Sequence, residues 1–162
     1  MTFSTMNLGE QIEKALSSNE YTKPTPVQEK VIPLILDSKD IMARAQTGSG
    51  KTASFVLPLL KLWSENIKVG KAKISILVLT PTRELTQQVA QSFSTFSLFL
   101  TKAPKVVSII GGESIGDQLM DVQKGCDIIV ATPGRLLDIL DKKQINLSQV
   151  KHFVLDEADK ML

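Results

Sequence analysis

Ala45-Gln46-Thr47-Gly48-Ser49-Gly50-Lys51-Thr52 decides the fold of this chain. Glycines at 48 and 50 let successive backbone N–H groups turn toward one point, and a following helix would add the positive end of its dipole. That is the chemistry of a loop cradling the phosphates of a nucleoside triphosphate, with Lys51 reaching the β- and γ-phosphates and the Thr52 hydroxyl holding Mg²⁺. The general pattern opens with Gly, and here Ala45 stands in that place. Gly and Ser also crowd ordinary strand-to-helix turns, so the flanks matter. Asp40 to Ala43 is expected to be a short strand before the loop, and Thr52 to Trp63 reads as an apolar helix after it.

Near the other end of the chain, Asp156-Glu157-Ala158-Asp159 follows His152-Phe153-Val154-Leu155. Acidic residues at a helix start are favoured by the dipole alone. The apolar run before them instead reads as a buried strand, placing the carboxylates at the carboxyl edge of a sheet, where open α/β sheets bind ligands.

Between these two segments, continuous apolar runs at Ile74–Leu79, Val106–Ile110, Ile128–Ala131 and Phe153–Leu155 suit strands buried on both faces. Helical stretches from about Thr82 to Leu100, Ser114 to Lys124 and Pro133 to Lys142 are long enough for crossovers between parallel strands. The expected class is three-layer α/β. Ahead of the first strand lie a helix from about Asn7 to Ser17, apolar along Leu8, Ile12, Ala15 and Leu16, and another from Pro26 to Leu36.

Composition narrows the function. The 162 residues are 43% hydrophobic and 22% charged, enough for one globular domain with a core. A net charge of +2 is too small to announce a nucleic-acid partner. The lone Cys126 excludes an internal disulfide and reads as a small core residue, and lone His152 reads as structural. The first ten residues lack the pattern of a signal peptide, and no apolar run approaches the ~18 residues of a membrane span, so a cytoplasmic protein is expected.

Tyr21-Thr22-Lys23-Pro24-Thr25-Pro26-Val27-Gln28 resembles the Q motif of DEAD-box RNA helicases, with Phe3 at the spacing of the upstream aromatic. Ala45–Thr52 looks like motif I of that family, Pro81-Thr82-Arg83-Glu84-Leu85 like motif Ia and Gly111-Gly112 like its G-G motif. Thr132-Pro133-Gly134-Arg135 is similar to motif Ib, and Asp156–Asp159 spells the family name. The resemblance covers the whole chain. Gly111-Gly112-Glu113-Ser114-Ile115 and Val130–Leu137 look most like bacterial RhlE-type members. Two departures stand out: Glu20 where the family usually has Gly, and Thr86 where it usually has Ala.

The resemblance implies a RecA-like ATP-binding lobe, with residues 1–37 as the Q-motif region and 38–162 as a P-loop core that stops after the DEAD motif. It implies that Tyr21 packs on adenine, that the Lys23 backbone and the Gln28 amide read the base, and that Ala45 to Thr52 hold the phosphates. Thr25-Pro26-Val27-Gln28 is equally a capping box, with Thr as N-cap, Pro at N1 and Gln at N3, which needs no ligand. By resemblance Asp156 holds Mg²⁺, Glu157 orients and deprotonates the attacking water, and Asp159 couples this site to a later motif.

Pro81, Thr82, Arg83, Gly112, Thr132, Pro133, Gly134 and Arg135 would grip RNA by its backbone, without sequence preference, although Thr-Pro and Pro-Thr are also ordinary helix starts. The family's second lobe, which supplies arginine fingers worth about 10³ to 10⁵ in rate, has no counterpart in these residues. They are therefore expected to bind ATP with little turnover. Two alternatives belong to other classes: a stand-alone nucleotide- or RNA-binding module, and a P-loop kinase-like enzyme, which Gln28, Arg83 and Arg135 disfavour.

Overall fold

Four short strands run parallel in one sheet, in the order β2-β3-β1-β4, within the computed structural model, which describes residues 1–142 and 144–162. They are β1 (Ile76–Leu79), β2 (Val106–Ile109), β3 (Ile128–Ala131) and β4 (His152–Leu155). Crossovers are made by α4 (Arg83–Phe96), α5 (Ile115–Gln123) and α6 (Pro133–Asp141), as parallel pairing requires. The fold is therefore α/β with a fully parallel sheet.

The strands belong to one compact unit, Lys68–Gln91 with Pro104–Leu162. All of β3 is buried and β1 nearly so, because each has a strand on both sides. Ile109, Ile129, Leu136 and Ile139 pack in its core with Cys126. Burial pushes the Cys126 thiol up to about 12, so the residue behaves as a small hydrophobe. Desolvation, then nearby Lys151, holds the half-buried His152 imidazole below its ordinary value, in keeping with a neutral structural residue.

The register puts the strand ends level. Leu79 sits opposite both Ala131 and Leu155, and Ala131 opposite Ile109. Pro81–Arg83, Gly111-Gly112, Thr132–Arg135 and Asp156 therefore all leave the sheet at its carboxyl edge.

The second unit, Met1–Ile67 with Ser92–Ala103, is helical: α1 (Glu10–Ser18), α2 (Pro26–Leu36), α3 (Lys51–Glu65) and the end of α4. Ile12, Ala15 and Leu16 form the buried stripe of α1, and α3 buries most of its length from Ala53 to Leu60. Helix α1 closes in a Schellman arrangement, with Tyr21 N–H donating to the Leu16 carbonyl (2.9 Å) and Glu20 N–H to that of Ser17 (3.1 Å). This requires a left-handed residue, and Glu20 has φ 61°. The departure from Gly is thus absorbed at a steric cost. Restoring glycine removes that strain but adds freedom to the unfolded chain, so Glu20→Gly is expected to stabilise by about 0.5 to 1 kcal/mol net. A urea unfolding midpoint that stays or falls would contradict this.

Two expectations need correction. Asp40–Ala43 forms no strand: Met42 is fully exposed and Ile41 substantially so, because no described strand pairs with the segment, and extended backbone becomes a strand only through a ladder. Nor is β4 buried on both faces. As a sheet edge it leaves Phe153 55% and Leu155 51% exposed.

Candidate functional site

In the helical unit, the glycine-rich loop leads directly into α3. Ser49 N–H donates to the Gln46 carbonyl (3.2 Å), Gly48 (φ 82°) and Gly50 (φ 84°) take left-handed conformations, and Lys51 and Thr52 open the helix. Side chains rarely adopt those angles, which is why glycine stands at both places. Ala45, Ser49, Gly50, Lys51 and Thr52 are half-buried, whereas Gln46, Thr47 and Gly48 are exposed. The Ser49 hydroxyl is buried without a hydrogen-bond partner.

Gln28 joins this loop to the start of α2. Its Oε1 accepts from Thr25 N–H (3.0 Å) while its own N–H donates to Thr25 Oγ1 (3.4 Å), so the capping box is present. Its Nε2 also donates to the Gly50 carbonyl (3.1 Å), twenty-two residues away in sequence. Gln28 is 1% exposed, and a Cβ at residue 50 would overlap the Gln28 amide nitrogen. Gly50 is therefore demanded twice, by its backbone angle and by this close approach. Tyr21 stays 40% exposed while its ring meets Phe96 edge-on at 5.3 Å, Lys23 is exposed, and Phe3 is buried.

In the sheet unit, the strand ends carry the other candidates. Thr82 Oγ1 accepts from Leu85 N–H (3.1 Å) and caps α4, beside a half-buried Pro81. The buried Thr86 hydroxyl bonds to Thr80 Oγ1 (2.5 Å) and the Thr82 carbonyl (2.9 Å), so the departure from Ala is a satisfied polar group. Thr132 precedes Pro133 and Gly134 at the start of α6 but makes no side-chain cap, leaving its hydroxyl uncommitted to the helix. Two arginines meet one turn. Gly112 (φ 81°) lies so close to Arg83 that an added Cβ would stand 2.6 Å from Nη1, and Arg135 Nη1 donates to the Glu113 carbonyl (3.3 Å).

Asp156 continues the β4 ladder, its N–H donating to the Leu79 carbonyl (2.9 Å), and is 4% exposed. Glu157 takes a left-handed conformation (φ 52°) and lies 3.1 Å from Lys160 Nζ. Asp159 is exposed in the closing 3-10 turn, Ala158–Met161. No cluster of three or more metal-ligating side chains exists among the described residues. Sequence reasoning missed the Gln28–Gly50 and Arg83–Gly112 contacts. The glycines were the available signal, but their partners are set by the fold.

A parallel sheet with the candidate residues at its carboxyl edge, together with a glycine-rich loop opening a helix, defines the RecA-like class of α/β lobe. A family model described as DEAD/DEAH box helicase matches residues 25–162, and the chain belongs to that family. It is 49% identical over its full length to the ATP-dependent RNA helicase DeaD of Buchnera aphidicola subsp. Baizongia pistaciae, but spans only 26% of that protein. The crystal structure of a DEAD box protein from Methanococcus jannaschii is 44% identical, with a TM-score of 0.89, covering 99% of this chain and 42% of that one. The RNA helicase Prp28 of Chaetomium thermophilum, solved bound to ADP, is 40% identical with a TM-score of 0.85, covering 96% of this chain and 38% of that one. No helix among the described residues is long and apolar enough to cross a membrane.

Proposed function

We propose that residues 1–162 are the first RecA-like lobe of an ATP-dependent RNA helicase, binding ATP with Mg²⁺ and RNA by its backbone. The observation that carries this reading is Gln28, which ties the cap of α2 to the Gly50 carbonyl. A primary amide has two acceptor lone pairs and two N–H donors, and Gln28 spends one of each on Thr25 and Gly50. One acceptor and one donor remain to match the donor-acceptor edge of adenine, so cap and base reader are compatible roles. Tyr21 supplies an exposed ring for the base, and the Lys23 backbone helps to read it.

Ala45 to Thr52 would enclose the phosphates, and the orphaned Ser49 hydroxyl fits a loop completed by an anion. By resemblance to the family, the Thr52 hydroxyl in the helical unit and the Asp156 carboxylate in the sheet unit are each assigned to Mg²⁺, and both are oxygen donors of the kind a hard cation takes. Bound there, Mg²⁺ would supply neutralisation of the charge that develops on a transferred phosphoryl group. Glu157 is assigned the attacking water and Asp159 the coupling to a partner lobe. Within 162 residues, nucleotide binding with little turnover is the expected behaviour. The RhlE-like cast of two motifs is retained as part of this proposal, on sequence resemblance alone.

The direct experiment is calorimetric titration of the chain with ATP, ADP and GTP plus Mg²⁺. Preference for adenine nucleotides supports the proposal, and equal affinities would sink the adenine role.

For RNA, Arg83, Arg135, Thr132 and the N-termini of α4 and α6 form the proposed backbone grip, with Gly112 seating Arg83. Gly112→Ala must displace the guanidinium and is expected to weaken all single strands roughly three- to tenfold, as should Arg135→Ala. Affinity should fall with salt on a shallow slope, since each phosphate neutralised contributes only about −0.7. Fluorescence anisotropy with two unrelated strands across a salt series tests this. Base-specific or salt-insensitive binding would exclude this surface.

A further inference from the structure

At the β2 edge, the sheet has features that neither the nucleotide nor the RNA reading uses. Among the described residues, strand β2 pairs with β3 alone. The carbonyls of Lys105 and Ile109 accept from Ile128 N–H and Thr132 N–H, each at 3.1 Å. In a parallel ladder alternate residues face the same neighbour, so the N–H and C=O groups of Val106 and Ser108 point away from the sheet. Beside them, α5 and β2 enclose a groove of about 750 Å³.

Gln118 lines the groove and is 4% exposed. Its Nε2 donates to the Ile110 carbonyl (2.9 Å), while its Oε1 has no partner. Asp117 and Asp121, four residues apart on one face of α5, give the groove an exposed acidic wall that Glu113 extends. Lys105 and Lys124 stand at the opposite end. A row of outward backbone groups beside exposed carboxylates matches what strand addition requires.

We propose that this groove docks an extended segment of a basic polypeptide. The segment pairs as an added strand with Val106 and Ser108 and lays lysine or arginine side chains on Asp117 and Asp121. The two lysines favour a carboxylate at the far end, which gives the segment a direction. RNA is the wrong ligand here, because three carboxylates would face its phosphates. The proposal does not depend on ATP binding.

The test is a ¹⁵N NMR titration of the 162-residue chain with a short capped peptide alternating lysine and valine, a glutamate–valine counterpart and a single-stranded RNA. The lysine peptide is expected to shift the amides of Val106 and Ser108 and the Gln118 side chain. Asp117→Lys with Asp121→Lys should weaken it about tenfold, as exposed attractive pairs become repulsive. Val106→Pro removes an outward N–H without touching the β3 ladder and should also weaken it, while unchanged β3 amides report an intact fold. Silence at Val106 and Ser108, equal binding of the glutamate peptide, or stronger shifts of the same amides by RNA would each overturn the proposal.

Discussion

Glu157→Gln, in a protein joining this lobe to its partner lobe, is expected to lower ATP hydrolysis by about 10²- to 10⁴-fold while nucleotide affinity changes little. A general base acts on the proton of the attacking water, which is absent from the ground-state contacts that set affinity. Lys51→Ala should behave differently. Lys51 follows the left-handed Gly50 at the start of α3, and on the proposed reading it contacts the phosphates, so its loss should weaken binding as well as turnover. Single-turnover hydrolysis, read beside the affinity for a fluorescent ATP analogue, separates the two variants. Hydrolysis at the wild-type rate by Glu157→Gln would remove Glu157 from the role of base. Unchanged binding by Lys51→Ala would remove the loop from the nucleotide site.

Gln28→Ala should produce two losses that are measured separately. It leaves the Gly50 carbonyl without its donor and the Thr25 N–H without its acceptor, around a side chain only 1% exposed. Each orphaned group costs about 1 to 3 kcal/mol and a lost cap about 1, in part the same interaction, so a net destabilisation of about 2 to 4 kcal/mol is expected. Urea unfolding of the ligand-free chain reads this loss. The preference for ATP over GTP should also shrink by about 1 to 3 kcal/mol, roughly 5- to 150-fold in relative affinity. Normal stability with lost preference would deny the cap-to-loop bridge. Lost stability with intact preference would leave Gln28 a structural residue only.

What was legible in the sequence was local in cause. Thr25, Pro26 and Gln28 start a helix within four residues, and α2 spans Pro26–Leu36 as expected, because a capping box is satisfied inside one turn. The apolar runs at Ile128–Ala131 and His152–Leu155 became strands at those positions, and Ile76–Leu79 and Val106–Ile109 formed within the expected runs, since continuous hydrophobicity between turn residues suits a parallel sheet. The loop–helix junction at Gly50 and Lys51 likewise follows from residue type.

Tertiary structure alone decided which strands became edges. Nothing in Phe153 and Leu155 distinguishes them from Ile129 and Val130, yet the former are half-exposed because β4 has a neighbour on one side only among the described residues. Asp40–Ala43 had the apolar residues for a strand but no ladder partner. Gln28 reaches Gly50, and Arg83 packs on Gly112, across separations that no local pattern encodes. Capping and turn formation depend on neighbours within a few residues, whereas ladder pairing and side-chain seating depend on where the chain returns.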